Sequence, residues 1–269
     1  MDDRVQDATS KPATAARIYD YYLGGIHNFP ADREVARNVI EYFPFVPTAA
    51  RDNRAFLGRA VRYLLDAGIR QFLDIGSGIP TGGNVHEIAQ QVAREARVVY
   101  VDIDPVAVSE SLQILEGNEH ATAIIGDLCA PQSVLQHPTV QRLIDFRQPV
   151  GLLLAAVLHF VQDDARAFSV IGELLRPLAP GSYLVASHTA AETFVAFIEQ
   201  NPPPEDVYRR RTATPGTIRS RAEVERFFAG LELVDPGVTA VQDWRPGPGE
   251  TTHDTSFTGG LWVGVGRKT

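Results

Sequence analysis

Cysteine is nearly absent from the 269-residue chain, which has only Cys129. A single cysteine cannot form an internal disulfide, and this scarcity is typical of proteins from a reducing compartment. Long apolar runs are also missing, because no window approaches the ~20 apolar residues of a membrane-spanning helix. The opening residues, MDDRVQDATSKP, are polar and lack the apolar core of a secretory signal. These absences predict a cytoplasmic protein with no membrane partner.

Positive charge is in the minority. Lys and Arg number 25 against 33 Asp and Glu, which gives a formal net charge of −8. Such a surface repels phosphate backbones and anionic lipids, so the sequence predicts no nucleic-acid partner. The short basic run Arg209–Arg211 is typical of a solvated loop, with contact to an acidic substrate as the alternative. No pattern specifies an oligomeric state.

Strand-like and helix-like segments alternate after residue 70, as in parallel βαβ units. The predicted strands are Gln71–Ile75, Arg97–Val101, Thr122–Ile125, Val150–Val157, Tyr183–Ser187, Leu231–Val234 (extending in one reading to Val241) and Gly260–Gly266. The last two are joined by a loop rather than a helix, which predicts an antiparallel edge. The predicted fold class is therefore α/β, a doubly wound sheet of seven strands with helices on both faces.

A helical N-terminal extension precedes this sheet. The apolar spacing predicts helices at Ala15–Leu23, Ala31–Phe43 and Asp52–Ala67. We divide the chain into an extension over residues 1–68, packed on the core, and a main domain over residues 69–269, together one structural domain. Tyr22 belongs to a tyrosine cluster before the glycine pair at residues 24–25. Aromatic rings attract cations, so this cluster predicts a lid over a cationic cofactor, or alternatively a helix docked on the sheet edge.

The stretch Phe72–Gly83 reads FLDIGSGIPTGG, an apolar strand that passes into a glycine loop. Gly76 and Gly78 allow backbone N–H groups to approach a ligand closely. Asp102 ends the next strand, 24 residues after Gly78, where a carboxylate accepts hydrogen bonds from ribose hydroxyls. Both features are shared by nicotinamide proteins and S-adenosylmethionine (SAM) proteins, so the loop alone does not identify the cofactor.

Two further features favour SAM. Pro80 stands where a dinucleotide loop has its third glycine, and the wider loop is a poorer cradle for a pyrophosphate. A second acid, Asp127, ends the third strand, where it can accept from the amino group of adenine. A nicotinamide-dependent oxidoreductase fits neither feature. The single cysteine cannot ligate an iron–sulfur cluster, which excludes a radical SAM enzyme.

The ordered motifs DIGSG, VDIDP, GDL, LAAVLHF and LAPGSYLV resemble those of class I SAM-dependent methyltransferases. The segments RIYDYYLGGIHNFPADRE and ARDNRAFLGRAVRYL resemble a narrower family, found largely in actinomycetes, whose members are described as SAM methyltransferases of unknown substrate. The resemblance covers nearly the whole chain and includes Pro80. It implies a Rossmann-like, mostly parallel sheet with an antiparallel last strand, and SAM as the cofactor with S-adenosylhomocysteine as its product.

The resemblance also implies roles for individual residues. Those assigned to cofactor binding are Gly76, Ser77 and Gly78 under the methionine and ribose, Asp102 and Ile103 at the ribose and adenine, Asp127 and Leu128 at the adenine amine, and Ala156 within Ala155–Val157 beside the sulfonium. Asp74 either contacts the cofactor amine or ties the glycine loop together. No metal site is predicted, because no Cys or His pair has ligand spacing.

His159 follows the fourth strand, where it is a candidate general base facing the methyl acceptor; the alternative is an ordinary loop histidine. His86 and His188 are further candidates for the cleft wall. The favoured function is methyl transfer from SAM to an unidentified acceptor, expected to be a small molecule. The alternative is a SAM-binding regulator without turnover, because fold alone does not determine function.

Overall fold

One eight-stranded sheet organises the computed structural model, which describes residues 12–80, 82–201, 216–247 and 260–269. The strands are β1 (Gln71–Ile75), β2 (Arg97–Asp102), β3 (Ala121–Ile125), β4 (Gly151–Ala155), β5 (Tyr183–Thr189), β6 (Glu232–Leu233), β7 (Thr239–Ala240) and β8 (Leu261–Arg267). Their order is β3-β2-β1-β4-β5-β8-β6, and β7 also pairs with β8. Strands β1 to β5 are parallel, and β8 is antiparallel to its neighbours.

Helices cover both faces of this sheet and extend before it. They are α1 (Ala15–Tyr22), α2 (Pro30–Tyr42), α3 (Val46–Asp66), α4 (Val85–Val92), α5 (Pro105–Ile114), α6 (Pro131–Leu135), α7 (Pro138–Leu143), α8 (Asp164–Leu175), α9 (Ala191–Gln200) and α10 (Arg221–Glu225), with 3-10 turns at Leu158–Phe160 and Arg226–Phe228. No helix in these described ranges combines the length and apolar composition that crossing a membrane requires.

The predicted fold class is confirmed, with two local differences in the strands. The predicted sixth strand is split into β6 and β7, because Pro236 and Gly237 turn the chain between them. The predicted fourth strand ends early, at Ala155, because Ala156 leaves the extended region with a φ of +53°. The connection from β3 to β4 contains two short helices, α6 and α7.

Each face of the sheet carries its own core. Alternate β1 residues point to opposite faces, so Phe72 packs in one cluster and Leu73 in the other. The first cluster is completed by α3, whose Phe56, Val61 and Leu64 are fully buried. Helix α3 begins six residues before the predicted start at Asp52. Because α3 contributes to the main core, we expect its apolar side to be needed for global stability.

Replacement of Leu64 tests this expectation. Leu64→Ala should lower the free energy of unfolding by about 2–5 kcal/mol, since it removes a buried side chain and leaves a cavity. Asp66→Ala, an exposed position on the same helix, should change it by less than about 0.5 kcal/mol. Urea denaturation followed by circular dichroism measures both values. Equal effects would contradict the role of α3 as a core helix.

Candidate cofactor and acceptor site

A cavity of about 650 Å³ lies at the carboxyl ends of the parallel strands. In doubly wound sheets this edge is where ligands bind. Every residue that the sequence analysis assigned to the cofactor or to catalysis lines it: Tyr22, Asp74, Gly76, Ser77, Gly78, Asp102, Ile103, Asp127, Leu128, Ala156 and His159. The structure thus brings these residues together, and their individual roles stay predictions.

A second cavity, of about 800 Å³, lies where β1 and β5 begin. Three charged groups there have partners, since Arg267 Nη1 lies 3.6 Å from Glu232 Oε2 and Arg245 stacks over the ring of Tyr63 at 4.5 Å. None of the predicted site residues lines it. We therefore take the cavity at the carboxyl edge as the candidate site.

The glycine loop after β1 is shaped by one close contact. Gly76 has a φ of +73°, and a Cβ added there would lie 2.3 Å from Val157 Cγ2. Its N–H donates to the carbonyl of Val101 on β2, at 2.7 Å. Gly78 also has a positive φ, of +65°, but an added Cβ would meet no atom within 4 Å. A side chain at Gly76 would therefore be disfavoured for steric and conformational reasons, and one at Gly78 for conformational reasons alone.

Asp102 holds the glycine loop against the end of β2. Its carboxylate accepts from the N–H of Gly78 and from the N–H of Asp104, both at 2.8 Å. The side chain is 7% exposed, and burial raises the pKa of this carboxyl, opposed by those same N–H groups. Each carboxylate oxygen has two lone pairs, so both can accept a further hydrogen bond from a ligand.

Asp74 is the buried acid whose side chain has no hydrogen-bond partner among the described residues. It is 3% exposed and lines the cavity. Burial raises its pKa to about 7, with Arg54 opposing and Asp102 adding to the shift. Loop-bracing, one of its two predicted roles, is carried out by Asp102 through Gly78. A buried carboxylate without a partner is costly, so the site favours a cation beside Asp74.

Helix α3 supplies two polar lining residues that the sequence analysis did not assign to the cofactor. Arg54 donates to the carbonyl of Gly82 at 3.0 Å and to Asn84 Oδ1 at 3.1 Å, which fixes the far end of the glycine loop. Asn53 is buried, and its Oδ1 has no partner. Both lie in the segment ARDNR, and its resemblance to the family was the signal in the sequence that could have identified them as site residues.

A buried ion-pair network ties α1 to the end of β2. Arg17, 3% exposed, donates to Asp32 at 2.8 Å and to Asp104 at 3.0 Å, and also bonds the carbonyl of Pro12. The hydroxyl of Thr14 donates to the same oxygen of Asp104. Because the N–H of Asp104 also bonds Asp102, the N-terminal segment is connected directly to the predicted ribose site.

Two tyrosines of α1 have different surroundings: one attaches the helix to α3, and the other lines the cavity. Tyr19 donates to the carbonyl of Ala50 at 3.0 Å and accepts from Asn53 Nδ2, so it docks α1 on α3. Tyr22 lines the cavity, and burial raises the pKa of its phenol, which stays protonated. Helix α1 is therefore docked, through Tyr19, on another helix rather than on the sheet edge, and the lid stays a prediction.

At the far side of the cofactor edge, Asp127 and Ile103 are accessible. Asp127 accepts from the N–H of Cys129 at 2.7 Å through Oδ1, a turn-capping bond. Its Oδ2 makes no hydrogen bond among the described residues. Ile103 is 66% exposed although its side chain is apolar. An apolar surface next to two acids suits a flat aromatic base with a polar edge.

Ala156 and His159 follow β4 on the other side of the cavity. Ala156 is one of two described non-glycine residues with a positive φ, and its N–H donates to Ser187 Oγ at 2.8 Å. Strained backbone of this kind concentrates at functional sites. His159 is half-buried as a residue, and its Nδ1 is buried without a partner among the described residues. Desolvation, with His188 and Arg219 adding to it, lowers its pKa to about 3.

The other two candidate histidines do not line the cavity. His86 is buried in the core, where its ring lies 2.8 Å from the hydroxyl of Tyr100. His188 is fully buried, and its Nε2 accepts from Arg219 at 2.7 Å. The prediction of a cleft position was wrong for both, because each finds its partner inside the fold. Arg209–Arg211 lies outside the described residues.

The sheet order, the glycine loop and the acids after β2 and β3 define a class of α/β proteins that bind a nucleoside-containing cofactor at the carboxyl edge. The chain belongs to the S-adenosyl methyltransferase family, whose model matches residues 2–269. Membership confirms the predicted resemblance and SAM as the cofactor.

Two solved structures are similar over almost their entire length. A DUF574 family protein from Streptomyces avermitilis MA-4680 is 38% identical, with a TM-score of 0.88 over 97% of this chain and 100% of that chain. A candidate methyltransferase from Thermobifida fusca YX is 35% identical, with a TM-score of 0.86 over 98% of this chain and 97% of that chain. No curated protein matches the chain.

The two loop glycines give a matched pair of substitutions. Both Gly76→Ala and Gly78→Ala force an L side chain into a positive φ, but only the first also collides with Val157. We expect Gly76→Ala to lose about 1–3 kcal/mol more stability than Gly78→Ala, because of this overpacking. Adding Val157→Ala to Gly76→Ala should recover part of the difference in thermal denaturation. The steric explanation fails if the double variant is no more stable than Gly76→Ala.

Proposed function

We propose that the protein transfers the sulfonium methyl group of SAM to a small-molecule acceptor bound in the same cavity. The observation that carries the proposal is the convergence of Asp74, Asp102 and Asp127, from the ends of three strands, around the glycine loop. Bound SAM supplies an activated methyl group with a neutral thioether as leaving group. What remains for the chain is to bind, align and exclude water, a contribution that can reach ~7–11 kcal/mol.

The nucleoside end of the site is formed by the residues after β2 and β3. Asp102 accepts two backbone N–H groups and has lone pairs left for the ribose hydroxyls. The exposed side chain of Ile103 offers an apolar surface to adenine. Asp127 has Oδ2 available for the adenine amine, beside the backbone of Leu128. This distribution matches a base and a sugar rather than a pyrophosphate.

The amino-acid end of the site is formed by β1 and α3. Asp74 is a buried carboxylate without a partner in the described chain, and it suits the ammonium of the methionine part. Asn53 Oδ1 is a second unpartnered acceptor in the same wall. Arg54 lies close enough to Asp74 to lower its pKa and provides a cation for the methionine carboxylate. Each charge of the amino acid thus has a counterpart.

The methyl group belongs beside the segment 155–157, where β4 gives way to the strained Ala156. His159 is the polar side chain nearest along the chain to this turn. Its low pKa keeps the imidazole neutral at physiological pH, so it orients an acceptor by hydrogen bonding more readily than it removes a proton. We propose that α1 and the rest of the N-terminal extension, as a lid, close the cavity above these groups, with Tyr22 inside.

The regulatory alternative, SAM binding without turnover, requires a cavity filled by the cofactor alone. The cavity continues from the segment 155–157 to Thr189 on β5 and Leu261 on β8, which lie beyond the predicted cofactor residues. That extra space supports an acceptor and therefore turnover. A cytoplasmic location remains a prediction of the sequence.

Calorimetric titration with SAM and S-adenosylhomocysteine is the first test. The wild type should bind both ligands. Asp102→Ala should weaken SAM binding by roughly a hundredfold, since the two hydrogen bonds from the ribose hydroxyls to the charged carboxylate are lost. Asp66→Ala, a surface acid remote from the cavity, is the matched control. A wild type that binds neither ligand would falsify the proposal. Thermal melts run in parallel separate lost binding from lost folding.

The pH dependence of SAM binding tests Asp74. In the free protein its pKa is about 7, and an ammonium beside it would favour the ionised carboxylate. SAM affinity should therefore rise with pH, by up to about tenfold per unit below pH 7, and level off above it. Calorimetry in two buffers of different ionisation enthalpy measures the number of protons that are released when SAM binds. Asp102 and Arg54 are the charges that influence the pKa of Asp74. The pH profile of Asp102→Asn therefore serves as the reference for the contribution of Asp102.

The pH dependence of the free energy of unfolding provides a second test of Asp74. Its folded-state pKa lies above the ordinary value of 3.8, so its contribution to stability is full below that value and is lost as pH rises through 7. At pH 8, Asp74→Asn should therefore stabilise the ligand-free protein, by on the order of 1–3 kcal/mol, while weakening SAM binding. If Asp74→Asn destabilises the protein at pH 8, the carboxylate has a structural role instead.

A further inference from the structure

The order of the strands divides the cavity into two halves of different character. Strands β1, β2 and β3 lie on one side and contribute its acids. Strands β4, β5 and β8 lie on the other side, and with α9 they contribute His159, Phe160, Val161, Thr189, Phe194 and Leu261. Among the described residues that line this second half, which we call the apolar half, none carries a charged side chain.

Aromatic rings form a packed wall of the apolar half. The ring of Phe194 lies 5.1 Å from that of Phe43 and 5.0 Å from that of Phe45, centroid to centroid. Phe160 remains 37% exposed at the cavity. Such rings offer a flat apolar partner surface and little hydrogen-bonding capacity. A ligand in this half is therefore held mainly by contact with aromatic and aliphatic carbon.

His159 is the hydrogen-bonding ring in this half. Neither of its nitrogens has a partner among the described residues, and its ring lies 5.9 Å from that of His188, centroid to centroid. Behind His188, the buried guanidinium of Arg219 bonds His188 and the carbonyls of Leu158 and Val161. This arrangement fixes the turn that carries His159 and opposes its protonation. A neutral imidazole next to a hydroxyl or an N–H group makes one hydrogen bond.

Charge excludes most other occupants. An anionic acceptor would meet no cationic side chain among the described residues of the apolar half, and the positive charge of the sulfonium beside it is lost once the methyl group has been transferred. A cationic acceptor would meet no carboxylate among the residues that the structure describes in the apolar half, and it would lie next to the sulfonium. An uncharged molecule avoids both costs.

We infer that the methyl acceptor is an uncharged, largely apolar molecule with a flat ring against Phe194, and that it presents one hydroxyl or N–H group to His159. This inference rests on the proposed function, because it assigns the acceptor of that same reaction. The methyl group would pass to the oxygen or nitrogen of that group, whose proton leaves to solvent, and S-adenosylhomocysteine remains.

Binding of test compounds to the protein saturated with S-adenosylhomocysteine tests the inference without an assay of turnover. Calorimetry compares 2-naphthol with naphthalene, which lacks the hydroxyl, and with 2-naphthoate, which carries a charge on the same skeleton. We expect 2-naphthol to bind roughly tenfold or more tightly than either. His159→Ala should remove its advantage over naphthalene.

Phe194→Ala tests whether the aromatic wall contributes to binding of the acceptor. It should weaken 2-naphthol binding by roughly tenfold and leave the affinity for S-adenosylhomocysteine unchanged within about twofold. Val195→Ala, its exposed neighbour outside the cavity, is the matched control and should change neither.

The outcomes separate this inference from the proposed function. If the wild type does not bind S-adenosylhomocysteine, both are overturned. If it does, but 2-naphthoate binds as tightly as 2-naphthol or neither compound binds, only the inference is overturned.

Discussion

The carboxylate of Asp102 is the point on which the cofactor edge depends. It accepts from Gly78 on the glycine loop and from Asp104 at the start of α5, so it joins the first two crossovers of the sheet. Asp104 in turn holds Arg17, and through it the N-terminal helices. A single acid at the end of β2 therefore sets the position of the loop, the helix and the covering segment at once.

The acids gathered at this edge oppose one another. Asp102 helps to raise the pKa of Asp74, and both are buried. A fold selected only for stability would pair these carboxylates or replace them with apolar side chains. Their retention in a cavity with few cations nearby makes sense if the ligand itself is the counter-ion. Much of the binding energy then comes from relief of a cost that is present in the free protein.

The sequence predicted the features that repeat with a simple period and missed those that depend on contacts between distant segments. The strand bounds at Gln71–Ile75 follow from local apolar patterning. Most of the eleven assigned residues that line the cavity were implied instead by the resemblance to a known family. Local patterning gives no indication of the positive φ of Ala156, because only its surroundings favour that conformation. His86 and His188 look like cleft residues until their partners, Tyr100 and Arg219, are brought to them by the fold. Arg17 and Arg54 act across 87 and 30 positions of the chain, respectively, beyond the reach of any local pattern.

The division of the outermost strand into β6 and β7 affects how the protein behaves in a crowded solution. Each piece has two residues, and between them lies Pro236, which has no N–H to offer. An unbroken edge strand presents a row of free donors and acceptors on which another chain can add. At this side of the sheet, in the part of the chain that the structure describes, the row is too short and too interrupted to act as a template. The turn that divides the strand therefore protects this edge of the sheet against edge-to-edge aggregation.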